Sequence, residues 1–392
     1  MLDTKASVCI VAVGYNRPWA MARLLNSLAR ANYEGNTVDL KISIDRGTRQ
    51  QEIIAIAESF VWEYGNKEIR AFPERQGLRS HILQCGDYVY GYDAVVVLED
   101  DVTVSESFYT YVKQSTAFYR SDPKIAGISL YKHHINICAD RFFEPEYNGF
   151  DTYLMQFAQS WGECWTKDMW SKFRQWYAQN ETVVFAEDSS LLKHIPNKML
   201  LWGNQSWMKY FMAYVLQQDL YFVYPYHALS TNHAEIGQHN SVTSGGYQVA
   251  MATGFQKYRF PDFEEAVKYD IFFERMAYPV SGYGDKQVAL DLYGNKKAFE
   301  GFDVLISSAA RPYKVLETWK LKYRPQEVNC RYPEPGVGLF VYDLHQPAQA
   351  PKALSVNIRT RYDTRVMSIR NLLMLGLENA WSAAAIRIKK IF

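Results

Sequence analysis

Three consecutive carboxylates, Glu99, Asp100 and Asp101, close an apolar run that begins at Ala94 and contains Val95, Val96 and Val97. A β-branched run bounded by polar residues predicts a strand buried on both faces of a sheet. In open α/β sheets ligands lie just outside the carboxyl ends of such strands. Close-set carboxylates repel unless a cation offsets them. Hard divalent ions take oxygen ligands, and Mg²⁺ is commonly held by one or two carboxylates plus substrate phosphates. The other reading is an acidic turn in which an Asp caps the helix expected near Ser105.

A second acid stands at a comparable place. Val38 to Ile44 reads as a strand, and Asp45-Arg46-Gly47 follows it. An Asp after the second strand of a nucleotide-binding α/β unit accepts hydrogen bonds from ribose or base; a helix-capping role is equally compatible with its position. Farther on, Ser230 to His239 carries His233 and His239 among small and polar residues, the composition of a ligand-contacting loop.

The elements that must position these groups alternate. Strands are expected at Ser7 to Val13, Val38 to Ile44, Ile69 to Phe72 and the Val95 run that ends in the acidic triplet, and later at Ile125 to Tyr131 and Tyr221 to Pro225. Helical spacing fills Trp19 to Ala31, Gln50 to Tyr64 and the stretch from Gln76 toward Cys85. Strand–helix alternation predicts a mostly parallel sheet covered by helices on both faces. Phe142 to Tyr153 reads as loop. Gln156 to Trp176 is dense in tryptophan, and a second cluster, Trp202 to Trp207, leads into an apolar helix. Beyond residue 260 the pattern becomes mixed, with one strand expected at Asp303 to Ser307. The tail from Thr364 has helical spacing and ends in Arg387, Lys389 and Lys390 among isoleucines. The expectation for it is a packed helix, with a helix lying on an anionic membrane surface as the alternative.

Composition excludes several classes. The formal net charge of +1 offers no polyelectrolyte signal, so nucleic acid is not expected as a partner. Five scattered cysteines without CxxC spacing argue against zinc and against a disulfide framework, and fit a reducing compartment. No run reaches the roughly 20 apolar residues of a membrane span, and Val8 to Val13 is too short for a secretory core. The expected location is the cytoplasm, with peripheral contact to the inner face of the plasma membrane. Neither GxGxxG nor GxxxxGK[ST] occurs, which counts against dinucleotide-binding enzymes and P-loop nucleotidases.

Val11 to Arg17, Ile44-Asp45-Arg46-Gly47, Gly77-Leu78-Arg79 and Val97 to Ser105 with Phe108, taken in order, resemble the nucleotide-sugar domain of GT-A glycosyltransferases. The look-alikes are bacterial family-two-like enzymes and the N-acetylglucosaminyltransferase I family, over roughly residues 7 to 240. The resemblance implies a GT-A type α/β fold, with residues 1–130 as the nucleotide-sugar half, 131–260 as the acceptor half, and 261–392 as a helical or mixed extension. It implies Asp101 as the ligand of Mn²⁺ or Mg²⁺, with Asp100 at the ribose or a metal-bound water and Glu99 in support. Asp45 would meet the base or ribose, Arg17 the uracil or phosphates, and Arg79 the donor. His239 would lie in a loop over the diphosphate. Trp161-Gly162-Glu163 would line the acceptor side, with aromatics from Trp161 to Trp176 holding the acceptor ring.

One departure concerns the base. Where relatives carry an Asp shortly before a Trp, this chain has Asn204-Gln205-Ser206-Trp207. An amide has no usable basic lone pair near neutral pH, so Glu187, Asp188 or Glu163 is left as the candidate base beside the Gln205 region. The implied function is metal-dependent, inverting transfer of a sugar from a nucleotide sugar, UDP-linked by default, to a hydroxyl of a glycan or lipid-linked acceptor in bacterial surface polysaccharide synthesis. The alternatives are a catalytically impaired nucleotide- or glycan-binding scaffold and, ranked lower, a sugar-phosphate nucleotidyltransferase. Gly14-Tyr15-Asn16-Arg17-Pro18 is a poor version of the Gly-rich loop that the last would need.

Overall fold

A computed structural model describes residues 7–235, 246–254 and 256–389. The chain divides into two compact units, Met1–Tyr278 with Asn295–Glu300, and Pro279–Gly294 with Gly301–Phe392.

The first unit is built on a nine-stranded sheet flanked by helices. Its strands are β1 (Val8–Gly14), β2 (Asp39–Ile44), β3 (Lys67–Ala71), β4 (Ala94–Glu99), β6 (Ile125–Ser129), β9 (Thr152–Met155), β10 (Glu163–Thr166), β11 (Tyr221–Pro225) and β13 (Lys268–Tyr269). Their order is β13-β9-β11-β6-β10-β4-β1-β2-β3. Strands β3, β2, β1 and β4 run parallel, as the alternation of strands and helices predicts. Every residue of β1 is buried, and β4 is buried as far as Leu98, so neither strand shows polar alternation. The helices α1 (Pro18–Ala29), α2 (Gln50–Ser59) and α3 (Leu78–Gly86) supply the crossovers. Helix α2 stops five residues short of the expected Tyr64, where Phe60 turns extended.

The departures lie in the tryptophan-rich region. Strand β10 enters antiparallel between β4 and β6, placing Glu163 opposite Val97 and Ser129. Strand β9, part of it within the expected loop, pairs antiparallel with β11. Both are four-residue strands buried at every position, so no period-two pattern marks them in the sequence. A short ladder forms beside the main sheet, β5 (Val102–Val104) against β12 (Ser230–Asn232). Two-residue strands β7 (Ile135–Asn136) and β8 (Arg141–Phe142) form a small ribbon. Helices α4 (Phe108–Tyr119), α5 (Lys167–Asn180), the short α6 (Asn197–Leu200) and α7 (Trp207–Gln217) complete the unit.

The tryptophans mostly fill this core. Trp165, Trp170, Trp176 and Trp207 are buried, and Trp165 packs on Trp170, Trp207 and Phe211 at centroid distances of 4.6, 5.6 and 5.7 Å. The expectation that aromatics throughout Trp161 to Trp176 hold an acceptor ring is therefore corrected. Large apolar rings at helical spacing were drawn into the core by their area, and Trp161 alone of that tryptophan set keeps an exposed edge.

The second unit holds a four-stranded sheet ordered β14 (Val288–Asp291), β15 (Val304–Ser307), β17 (Gly338–Pro347) and β16 (Tyr313–Lys320). The strand expected at Asp303 to Ser307 is β15. Helices α8 (Val328–Arg331), α9 (Val356–Thr364) and α10 (Ile369–Lys389) follow in chain order around and after β17. The tail is helical as its spacing predicts, but it is not packed: Leu373, Met374, Leu377 and Trp381 are exposed.

Candidate active site

Parallel register brings three loops to one edge of the sheet. Val13 pairs with Glu99 and Gly14 with Ile44, so Tyr15-Asn16-Arg17, Asp45 and Asp100-Asp101 all emerge there. Arg17 directly precedes α1, with Pro18 in its first turn. A proline there lacks only an N–H that would be unsatisfied anyway, which fixes the point at which Arg17 leaves the helix.

Four carboxyl groups and one guanidinium make the first cluster. Arg17 Nη2 donates to Asp100 Oδ1 and stands 3.4 Å from Asp101 Oδ2. Among the described residues, Arg17 is the cation ion-paired to the triplet. Burial works against its charge, but Asp100 and Asp101 hold its pKa above the ordinary value. Glu163 comes to the same place on β10 and is fully buried. No hydrogen bond of normal geometry reaches either of its oxygens, although the Gly162 and Glu163 amides lie close enough to favour its charged form somewhat. Burial, then the charge of Glu99, push the Glu163 pKa well above its ordinary value. Burial and the Asp101 charge push Glu99 up to about 8, against the pull of Arg17. Burial lifts Asp100 to about 6, again opposed by Arg17.

Four carboxyl groups face the single charge of Arg17, and besides both Glu163 oxygens two aspartate oxygens lack a hydrogen-bond partner. Asp100 Oδ2 and Asp101 Oδ1 are buried without a hydrogen bond, a state that costs free energy unless an ion or donor occupies it. A divalent cation fits that need. No group of three His, Cys, Asp or Glu ligands converges among the described residues. The protein would thus supply one or two carboxylates, with Asp101 the more accessible at 15% side-chain exposure against 5% for Asp100. Phosphate and water oxygens would complete such a shell.

Asp45 anchors a second cluster. Its carboxylate is buried and accepts from the amides of Arg46 (2.8 Å), Gln76 (2.7 Å) and Gly77 (3.0 Å). It thereby pins the loop after β3 to the end of β2, a structural task beyond the nucleotide contact that the resemblance implies. Gly77 has φ +76°, and a Cβ there would lie 3.1 Å from Gln205 Oε1. Gln205 is exposed, and Ser206 caps α7 by accepting from the Lys209 amide at 3.3 Å. Arg79 is half-buried, its guanidinium 4.9 Å from the Tyr210 ring centroid. Phe185 rests on that same ring at 5.4 Å. Glu187 and Asp188 follow in an exposed turn, and among the described residues no hydrogen bond or ion pair ties them to the first cluster.

The histidine-bearing loop lies against Asp101. Pairing of Asn232 with Val102 positions it; the His233 amide donates to Asp101 O at 2.9 Å, and His233 Nε2 lies 3.1 Å from Thr103 Oγ1. Burial and the Arg23 charge lower the His233 pKa. Sequence reasoning noticed both histidines of this loop but singled out His239, which lies outside the described residues. The signal for His233 was its place one residue after a strand that pairs with the acidic turn.

Trp161 borders the carboxyl cluster. Its half-exposed ring meets Tyr131 at 4.8 Å and Tyr247 at 4.7 Å. The next residue, Gly162, has φ +99°, and a Cβ there would come within 3.0 Å of Ser230 Oγ and 3.2 Å of Leu130 Cβ. Only glycine allows the chain to turn here with Trp161 outward and Glu163 inward.

No protein-family model matches the chain, and no curated protein matches it by sequence. Among solved structures, similarity is found to a mannosyltransferase from Pyrobaculum calidifontis, PcManGT, in complex with GDP-Man and Mn²⁺. Identity there is 10% and the TM-score 0.31, over 45% of this chain and 50% of that one. Similarity is also found to S. aureus TarS 1-349 in complex with UDP-GlcNAc, with 12% identity and TM-score 0.37 over 59% of this chain and 60% of that one. TarS 1-349 without that ligand gives 10% identity and TM-score 0.36, over 57% and 59%. The chain thus spans between 50% and 60% of the length of these three structures.

Proposed function

We propose that the protein is a metal-dependent, inverting glycosyltransferase that moves a sugar from a nucleotide sugar to a hydroxyl of a glycan or lipid-linked acceptor, in the synthesis of a bacterial surface polysaccharide. The observation that carries this reading is the charge-deficient carboxyl cluster at the carboxyl ends of parallel strands, with two buried aspartate oxygens left unpartnered. In this reading residues 1–130 hold the donor and 131–260 the acceptor. Mn²⁺ or Mg²⁺ held by these carboxylates would supply positive charge against a leaving diphosphate.

The chain's own residues do the rest. Asp101, with Asp100 beside it, holds the cation. Arg17 turns from the carboxylates toward the donor phosphates, where a planar guanidinium can pair with two oxygens. Asp45 keeps the Gln76-Gly77 loop in place under the nucleoside, and Arg79 borders it. Trp161 offers a ring face to the sugar. A carboxylate takes the proton of the incoming hydroxyl as bonding advances. Glu187 and Asp188 are solvent-accessible carboxyl groups and are the candidates for that role. Glu163 is unsuited to it because its carboxyl group is fully buried, and Gln205 is excluded by its chemistry.

The test is nucleoside diphosphate release from a panel of nucleotide sugars, UDP-linked first, with acceptor hydroxyls supplied. Activity requiring Mn²⁺ or Mg²⁺ and falling on the order of 100-fold or more in Asp101→Ala is the expected result. Full activity of that variant in EDTA overturns the reading. Gln205 motivates the second reading, a binding scaffold: metal-dependent nucleotide binding in calorimetry, with no turnover on any acceptor, would establish it instead.

A further inference from the structure

The near-neutral total conceals an uneven charge distribution. Residues 352–392 hold eight Lys and Arg against two acids, a net of +6, which leaves −5 for the preceding 351 residues of a chain whose total is +1. This basic segment coincides with α9 and α10.

The two helices are held differently. Helix α9 is fastened to its unit. Tyr362 is buried and its hydroxyl donates to Tyr323 O at 2.6 Å, while Arg324 Nη2 donates to Tyr362 O and Asp363 O, each at 2.7 Å. Helix α10 starts a few residues later and presents Ile369, Leu373, Leu377 and Trp381 at 78%, 64%, 57% and 78% exposure. Four-residue spacing puts these along one side of the helix, with Asn371 and Glu378 on the opposite side. Over 21 residues the helix is about 30 Å long. The stripe from Ile369 to Trp381 covers about 18 Å of it, and a contiguous exposed apolar surface marks an interaction face.

We infer that α10 lies in the plane of an anionic lipid surface, its Ile369–Trp381 stripe entering the acyl boundary, and that the net positive charge of residues 352–392 draws the segment to the headgroups. Charge selects this occupant. A second copy would bring one +6 segment against another, and nucleic acid would leave the apolar stripe without a partner. No helix among the described residues is long and apolar enough to cross a membrane, so the apolar side enters only one leaflet. Acidic headgroups attract each nearby cation, and salt weakens that attraction. Docking does not depend on the transfer reaction, and its test reads binding alone.

The full chain is floated with vesicles of phosphatidylcholine, and with vesicles containing about 30% phosphatidylglycerol, at low and at high salt. Association with the anionic vesicles at least about tenfold above that with phosphatidylcholine alone, weakened at high salt, is expected. The double variant Leu373→Glu, Leu377→Glu should lose it while its thermal unfolding stays unchanged, because both side chains are exposed in the native chain. Arg370→Glu gives an independent, smaller loss. Equal binding to both vesicle types, binding to neither, or a dimer in sedimentation equilibrium that the double variant abolishes would each overturn the inference.

Discussion

Replacing Asp100 by Asn removes one charge from the carboxyl cluster while keeping its shape, and the effect on stability has a defined pH signature. Asp100 retains 3% exposure, its Oδ2 has no partner, and burial lifts its pKa from 3.8 to about 6 although Arg17 opposes the shift. A carboxyl with a higher pKa in the folded state binds protons more tightly there. Stability therefore falls as pH rises from the unfolded pKa through the folded one, and is flat above it. A difference of roughly two pKa units corresponds to about 3 kcal/mol, lost between about pH 4 and pH 7. Asn has no such titration. In EDTA, urea midpoints at about pH 4.5, 6 and 7.5 should show the wild-type chain losing about 3 kcal/mol relative to Asp100→Asn across that window. The Glu99 pKa should also drop in the variant, because the Asp100 charge is one of the causes holding it at about 8. Added Mn²⁺ should restore wild-type stability at the high end by binding the ionised form. Parallel pH profiles for the two proteins would refute the claim that the cluster is short of positive charge.

Further outcomes follow from neighbouring contacts. Asp45→Ala leaves the Arg46, Gln76 and Gly77 amides without their acceptor; a loss of about 2–4 kcal/mol is expected, with faster proteolysis in the 73–77 loop, and Asp45→Asn should recover part of it. Trp165→Ala should destabilise by about 3–5 kcal/mol in urea titration, because the ring is wholly buried. Trp161→Ala should cost far less stability and instead raise the acceptor KM. Gly162→Ala should lower stability by about 1–3 kcal/mol, since φ is +99° and its Cβ would crowd Ser230 and Leu130; calorimetric melting measures it.

Much of the carboxyl cluster was legible in the sequence. A short apolar run rich in β-branched residues reads as a strand covered on both faces, and the charged residues ending it then lie at a sheet edge. That placed Glu99, Asp100, Asp101 and Asp45 at strand ends, and strand–helix alternation placed those ends together. The tryptophan-rich region was less legible. Strands β9 and β10 are four residues long and buried throughout, so they lack the alternation that marks a half-exposed strand, and the tryptophans within and beside β10 looked the same whether bound for the core or for a ligand.

The sequence by itself thus determined that Asp45, Glu99, Asp100 and Asp101 end strands, because the pattern of apolar residues is a local property of the chain. The tertiary structure decided how those groups behave. Arg17 and Asp100 are 83 residues apart, Glu163 reaches the cluster only because β10 inserts beside β4, and His233 reaches Asp101 only because β12 pairs with β5. Protonation, pairing and exposure depend on such distant neighbours. The same holds for α10, whose spacing predicts a helix but whose bare apolar side is visible only once the rest of its unit has folded without covering it.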